Sequence, residues 1–525
     1  MKKLLSVILL LAAAVPVVHA QDTYLNDRVT NNSDVIGTAR YVGMGGAMGA
    51  LGADISVMSN NPAGIGLMRR GTISLTMGGL VQDEAPASGD NRAHFTFDQA
   101  GFVAVLGKGE ENHFNFGFNY QKKINYNHSL LTSQALGGLS QGDMFAWIAN
   151  GTYSVDKSGN YYFASPFYDN LYGAGFFSPV NNTAGKLSHF HNTYRGNKGY
   201  YYRNSQGALH GFDINFSGSI QERYYWGLTF GIDYMNYSHS ADYEEVGDDS
   251  YILYQDQKLK GYGFNLKLGT VIRPVEDSPF RFGLAIESPT WYKLRHNAWA
   301  GMSGMTAGVY NNPTWMNDDN YLEYNIYTPW KFRASLGSTV DTYFAWDIEY
   351  EYSMNNYTKM GYPNGDDRYG NGGISMDKDR AMNQMTQNNV RGVHNIRAGF
   401  EVKPVPQFAI RAGYNFYSKP FKNGARLDQS CDSPAFDWST STDYINLGVT
   451  NILSVGIGFQ GKHFYADLAY KYRMQHGDFY SFDDNFSSYC QPFIDENPAL
   501  KDAQLTATDV NLNRHNFAIT LGYRF

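Results

Sequence analysis

The feature that most limits what this chain can become is an alternation on two scales. Within segments, apolar and polar residues take turns; between segments, short and long connections take turns. The C-terminal segment shows the first most sharply. Phe517, Ile519, Leu521, Tyr523 and Phe525 alternate with Asn516, Ala518, Thr520, Gly522 and Arg524, and a period of two puts each set on one face of a strand. The same pattern runs from Phe464 to Lys471, Phe408 to Phe416, Trp330 to Gly337, Phe344 to Glu351 and Phe114 to Gln121. In each, the apolar face is rich in aromatics and the other is built from glycine, small polar residues and charges. A soluble sandwich turns its apolar face inward. A lipid-immersed barrel turns it outward around a polar lumen, which accounts for both faces.

The second scale sets the topology. About fourteen strands are predicted, near 72–82, 97–107, 112–124, 209–221, 223–238, 258–273 and 279–295, then 321–340, 342–356, 391–403, 405–418, 442–461, 463–475 and 510–525. Short links at 109–111, 222, 275–278, 341, 404 and 462 alternate with long ones, the largest at 125–208. Short periplasmic turns and long extracellular loops mark a transmembrane antiparallel β-barrel of the Gram-negative outer membrane, and an even strand count leaves both barrel ends in the periplasm.

Other features agree with that address. Lys2 and Lys3, an apolar stretch and the small-residue site at Ala20 read as a signal peptide over 1–20. Beyond it no apolar run approaches the ~20 residues a spanning helix needs. Aromatics make up 16% of the chain and charged residues 17%, the latter below the roughly 25% usual for soluble domains. The formal net charge is −7, and no basic cluster recommends nucleic acid.

Residues 21–71 form an N-terminal extension, and 37–71 do not read as a strand. Five glycines between Gly43 and Gly52 suit close backbone approach, and Asn61, Pro62, Ala63 and Gly64 should make a turn. Ala39, Arg40, Gly43, Met44, Gly45, Gly46 and Ala47, with Asn61, Pro62, Ala63 and Gly64, resemble the N-terminal hatch of the FadL family, outer-membrane transporters of long-chain fatty acids and other hydrophobic compounds. Gly261 to Asn265, Arg281 to Gly283, Ser288 with Pro289, and Thr328 with Pro329 extend the resemblance over the mature chain. It implies a hatch-plugged barrel over 72–525 and capture of hydrophobic ligands outside. It also implies release sideways into the membrane through a kink in the third strand, for which Gly117 is one candidate. A C-terminal Phe525 resembles the assembly signal read by the barrel assembly machinery.

Candidate site residues follow from this frame. Phe163, Phe167, Tyr168, Phe176 and Phe177 crowd the longest loop, where they either line an apolar capture groove or pack the loops together. The predicted lumen carries Lys331, Arg333, Asp347, Glu349, Glu351, Arg397, Glu401, Arg411, Asp467 and Lys471, as a selectivity path, a gate holding the hatch, or a charge ladder stiffening a polar interior. Cys431 and Cys490 fall in two extracellular loops, and an oxidising compartment permits a disulfide between them. His189 and His191 alone do not make a metal site. With no Gly-x-Ser-x-Gly elbow or His-Glu-x-x-His pair, no catalytic residues, cofactor or metal are expected. Passive transport of a hydrophobic small molecule is the leading reading, with a surface-binding or adhesion protein anchored by its barrel as the alternative.

Overall fold

The computed structural model describes residues 23–31, 33–84, 92–109, 112–163, 166–247, 250–275, 278–304, 308–310, 321–363, 376–428, 439–484, 491–496, 498–500 and 503–525. The expected signal peptide, Cys431 and Cys490 lie outside them.

Fourteen staves close into one antiparallel barrel. They are β1 (Thr72–Gln82), β2 (Ala93–Lys108), β3 (His113–Asn125, resuming at His128–Ala135), β4 (Gly196–Ile220) and β5 (Tyr224–Gly247). Next come β6 (Tyr251–Ile272), β7 (Arg281–Glu287 and Trp291–Gly304), β8 (Leu322–Tyr327 and Lys331–Val340) and β9 (Phe344–Ser353 and Lys359–Pro363). The last are β10 (Val393–Val405), β11 (Phe408–Tyr417), β12 (Tyr444–Gln460), β13 (Phe464–Tyr480) and β14 (Thr508–Asn511 and Arg514–Arg524). Pairing of Thr72 with Arg524 through Gln82 with Arg514 joins β1 to β14 and removes the sheet edge. Periplasmic turns are tight enough to force Gln221, Glu222 and Asp341 to positive φ. Phe525 donates its amide to the carbonyl of Gly71, so the last residue clasps the start of β1.

Side chains sort by face as the alternation requires. Outward positions form an exposed apolar belt, for example Phe230, Ile232, Phe264, Leu266, Ile410 and Ile457. Its upper rim carries tyrosine–histidine pairs across neighbouring staves: Tyr120 with His210, Tyr350 with His394 and Tyr470 with His515. Rings cluster at the lower rim too, as in Phe408 with Phe459 and Phe464 with Tyr523. Such girdles sit at the two bilayer interfaces, and the fold is that of an outer-membrane β-barrel.

Above the upper rim the staves run on. β4, β5 and β6 extend well past the segments expected from sequence and support a cap. That cap holds α1 (Thr23–Thr30), α3 (Gln141–Thr152), α4 (Pro166–Gly173), α5 (Arg380–Asn389) and α6 (Gln491–Glu496) around one large buried apolar cluster. Within the barrel below it lies α2 (Ala39–Gly43), followed by two 3-10 turns, Ile55–Ser59 and Pro62–Leu67.

Candidate functional site

The plug segment is built from self-capping turns. Thr38 accepts the amide of Tyr41 and donates to the Asp54 carboxylate at 2.8 Å, and Asp54 in turn accepts the amide of Ser56. Asn61 accepts the amide of Ala63 while its Nδ2 donates to the carbonyl of Gly49 at 2.8 Å, with Pro62 at the first position of the following turn. These are N-cap arrangements, which satisfy amides that short turns leave free. Gly52 sits at φ +57, where an added Cβ would meet the Gly64 carbonyl at 2.6 Å, so the two glycine-rich stretches touch backbone to backbone.

The wall receives the plug through its own glycines. A Cβ on Gly45 (φ +63) would lie 2.9 Å from the Tyr414 amide, and one on Gly43 would lie 3.2 Å from Gly456. Met44, Met48 and Met58 are fully buried fillers around these contacts. Gly117 belongs to this set: the space where its side chain would stand holds the end of Met58. Its ladder is unbroken on both sides, with partners Val103 and Asn215, so the expectation of a kink at Gly117 is corrected.

All ten expected lumenal charges face inward, but not as one ladder. Glu287, Arg333, Glu351, Arg397 and Glu349 form one chain of ion pairs, and Arg40 of the plug joins Glu401, Arg411 and Asp467 in another. Lys471 pairs with Asp34 of the plug and Lys331 lies near Glu287. Asp347 does something different: one carboxylate oxygen accepts the amides of both Ala50 and Leu51 at 2.9 Å, anchoring the plug to β9.

Between plug and cap lies a cavity of about 130 Å³, bounded by α1, the Ser33–Asp34 segment and β3, β4, β11, β13 and β14. Tyr24, Ile124, Tyr126, Phe421 and Leu512 give it apolar walls; Arg28, Arg203, Arg473, Arg514 and His128 give it cations. A cavity of about 150 Å³ accepts a benzene-sized molecule, so this space suits one ring or one head group and not a whole long chain. Asp443 bridges Arg28 and Arg203. Arg473 instead donates to the Ser33 carbonyl and hydroxyl and to Gln475, and Arg514 to the Asn125 carbonyl. Neither makes an ion pair within 4.0 Å among the described residues, but the Asp34 carboxylate, which pairs with Lys471 and lines the same cavity, attracts both. Burial, and then repulsion from Arg514, Arg203 and Arg473, keeps the neighbouring His128 imidazole neutral well below the ordinary histidine range. Burial pushes the Asp27 carboxyl up to about 7 although Asn31 bonds to it, so this acid offsets the cations only weakly.

The cavity's β3 wall is where the barrel opens. β2 and β3 pair only from Lys108 with His113 up to Gln99 with Gln121. Above that level Ala93 to Thr96 pair with β1 alone, and His128 to Ala135 with β4 alone. A bulge marks each side of the parting: Asp98 is the extra residue opposite β1, and Lys123 the extra residue opposite β4. Bulges bend the strand that carries them, and here both bend at one height. Asp98 and Lys122 face each other at 3.7 Å across the lower lip, at the level of the ring contact of Phe97 with Tyr120. Higher up, the Gln82 carboxamide takes the place of a missing strand, donating to the Ser129 carbonyl and accepting its amide. Ile124, Asn125, Tyr126 and His128 line the cavity and also form the free edge of this gap.

Phe163, Phe167, Tyr168, Phe176 and Phe177 are all buried in the cap. They pack edge to face with Phe145, Phe190 and Tyr251, among others. His189 and His191 lie in the same cap, where no group of three or more metal-ligating side chains occurs among the described residues.

No family model matches the chain, and no curated protein does. Among solved structures it is similar to a Pseudomonas aeruginosa FadL homologue, at 12% identity over 94% of this chain and 99% of that one with a TM-score of 0.49. It is also similar to the Ralstonia pickettii toluene transporter TbuX (13% identity, 93% and 98% covered, TM-score 0.45) and the Pseudomonas putida toluene transporter TodX (11%, 94% and 99%, 0.48). Likeness this remote carries nothing about cargo.

Proposed function

We propose that this protein passively carries hydrophobic small molecules of the fatty-acid type through the outer membrane, releasing them sideways between β2 and β3. The carrying observation is that one stretch, Ile124 to His128, is both a wall of the cavity and the free edge of the gap. An insoluble ligand leaving there enters lipid without crossing bulk water. Arg473 and Arg514, which share the single Asp34 carboxylate with Lys471, leave positive charge suited to an anionic head group, whose charge-assisted bonds are stronger than neutral ones. The tail of such a ligand exceeds the cavity and would extend into the gap. The resemblance of Gly43 to Gly46 and Asn61 to Gly64 to the FadL hatch supports the same reading, with the plug barring a straight aqueous path.

The closed aromatic cap favours one second reading, a folded surface module that binds a partner while the barrel anchors it. Uptake separates the two. Cells lacking their own transporter would receive the intact protein or an Arg473→Gln, Arg514→Gln variant at equal surface level, and labelled palmitate and toluene would be supplied in turn. Palmitate uptake above empty cells, reduced in the variant while toluene entry is unchanged, supports transport of an anionic amphiphile. No uptake of either compound by a correctly folded barrel favours the surface role.

A further inference from the structure

The wall parts a second time, across the barrel from the first. β9 and β10 pair from Phe344 with Val402 up to Ser353 with Val393. Above that level Lys359 to Gly361 pair with β8, and Gly361 to Pro363 with Met376 to Lys378, while Val390 bridges to Phe421 past the end of β11. Among the described residues β9 and β10 do not meet again. An extracellular loop joins these two staves, so they must part somewhere; what sets this parting apart is its height and position. It begins one residue above the pair of Tyr352 with His394, at the upper girdle, whereas β5 and β6 stay paired from Tyr234 with Tyr262 up to Glu245 with Tyr251. Trp330, Tyr350 and Tyr357 are exposed around it, as aromatic side chains at a membrane interface are. Of the fourteen staves, β3 to β9 lie on one side of the two partings and β10 round to β2 on the other, so they stand opposite each other.

The helix α5 stands in this parting. Its Asn383 carboxamide accepts the amide of Met360 at 2.7 Å and donates to the Met360 carbonyl at 3.0 Å. It thus replaces a missing strand, as Gln82 does for Ser129 at the β2–β3 gap. On its inner side α5 meets α1, where the hydroxyls of Thr23 and Thr386 lie 2.8 Å apart and Asn26 donates to the Met360 sulfur at 3.1 Å. Only Met382, Met385 and Thr386 of α5 are buried, and methionines make an adaptable apolar seat. Behind the helix lies a cavity of about 40 Å³, water-sized and far too small for a chain. It shares Asp27, Asn31, Val393 and Tyr417 with the larger cavity. Those four residues therefore separate the parting from the chamber whose opposite wall, Ile124 to His128, edges the β2–β3 gap.

We propose that long-chain carboxylate cargo enters the cavity between β9 and β10, with α5 as the door, and crosses to the gap opposite. The inference rests on the transport reading and adds to it the way in. A chain held in the outer leaflet meets the parting at the height of Trp330 and Tyr357, passes between Met360 and the methionines of α5, and brings its carboxylate to Arg473 and Arg514. Moving α5 outward breaks side-chain bonds such as those of Asn383 and Thr386 and no stave ladder. Closed, the door keeps the cavity from the medium; open, it joins the two cavities past the edge of α1.

The test ties the door shut in the full-length barrel, held in bilayer discs and carrying Cys431→Ser and Cys490→Ser. Thr23→Cys with Thr386→Cys would join α5 to α1 by a disulfide, its completion checked by thiol labelling; α1 is itself held by Asp443 on Arg28 and by Tyr126 on the Val29 carbonyl. Association of a fluorescent long-chain fatty acid would be followed by stopped flow in the oxidised and reduced forms. The oxidised form is expected to bind about ten-fold more slowly but to the same extent at equilibrium, because a closed door slows entry without changing the site. Asn383→Ala, which unlatches α5 from Met360, should bind faster than its parent. Equal rates before and after oxidation would overturn entry here and leave transport standing. Loss of equilibrium binding in step with the rate would mean a damaged cavity and would overturn it too. No binding by the reduced form would overturn the transport reading, and this entry with it.

Discussion

The lower and upper halves of this barrel are filled in opposite ways. Below the upper girdle, the lumen is occupied by a plug whose backbone touches wall glycines and whose polar groups meet paired charges; Asp347 and the Arg40–Glu401 pair hold it. Above, the staves enclose an aromatic cap in which Phe145, Trp147, Phe176 and Tyr251 are fully or almost fully buried. The polar half is fixed by directional bonds, the dry half by packing. A cavity lies where the two materials meet. The gap between β2 and β3 opens at the same height. The comparison teaches that the cavity and the strand parting share the seam between halves, which is where the proposed route would lie.

The contrast can be broken from either side. The largest effect is expected at Glu245, whose buried carboxylate accepts from Ser140, the amides of Gln141 and Gly196, Tyr243 and Tyr251. Glu245→Ala orphans those donors at a cost on the order of 3–5 kcal/mol. Rapid proteolysis within 136–195, with the barrel's heat-modified mobility unchanged, is the expected outcome. In the lower half, Asp347→Ala strands the buried amides of Ala50 and Leu51, for about 2–4 kcal/mol; the expected readout is increased entry of a hydrophilic antibiotic, with the cap intact. Gly45→Ala, at φ +63 against the β11 backbone, should cost about 1–3 kcal/mol and loosen the plug in the same assay.

The smallest effect separates the halves by pH. His296, fully buried above the girdle, has its imidazole pushed down to about 3 by burial. The folded cap thus keeps it neutral while the unfolded chain takes a proton near the ordinary 6.5. Its contribution is fully present above that value and is lost as pH falls, by about 1.4 kcal/mol for one unit. Unfolding of the cap should therefore steepen with acid in wild type and less so in His296→Phe. Asp27 works in the opposite sense: its carboxyl, raised by burial to about 7, destabilises the fold as pH rises from the ordinary carboxylate range toward neutrality, so Asp27→Asn should remove that slope.

Sequence alternation reveals a stave only where one face meets lipid. Phe114 to Tyr120 and Phe517 to Phe525 were therefore plain, and all fourteen staves could be placed. It fails above the membrane, where both faces are partly covered: residues 196–208 read as loop because Tyr200, Tyr201, Tyr202 and Arg203 show no apolar–polar contrast, yet they form the upper part of β4. The helices α1 and α3 gave no periodic signal strong enough to separate them from loop, since their burial is set by the cap. The resemblance puts the strand kink at a glycine such as Gly117, whereas β2 and β3 part at the bulges of Asp98 and Lys123. The doublet Lys122, Lys123, interrupting an otherwise regular strand, was the available clue. Arg473 and Arg514 sit at inward positions of well-predicted strands; what singles them out, convergence with Lys471 on the one Asp34 carboxylate at the cavity, exists only in three dimensions.

Transport through the gap is tested most directly by tying its lips together. With Cys431 and Cys490 replaced by Ser, Asp98→Cys and Lys122→Cys would be joined by a short bifunctional thiol reagent on intact cells, and labelled palmitate uptake followed before and after. Uptake lost on cross-linking, but retained when either single cysteine is treated, is the result expected if cargo leaves between β2 and β3. Undiminished uptake through a fully cross-linked barrel would contradict lateral release there.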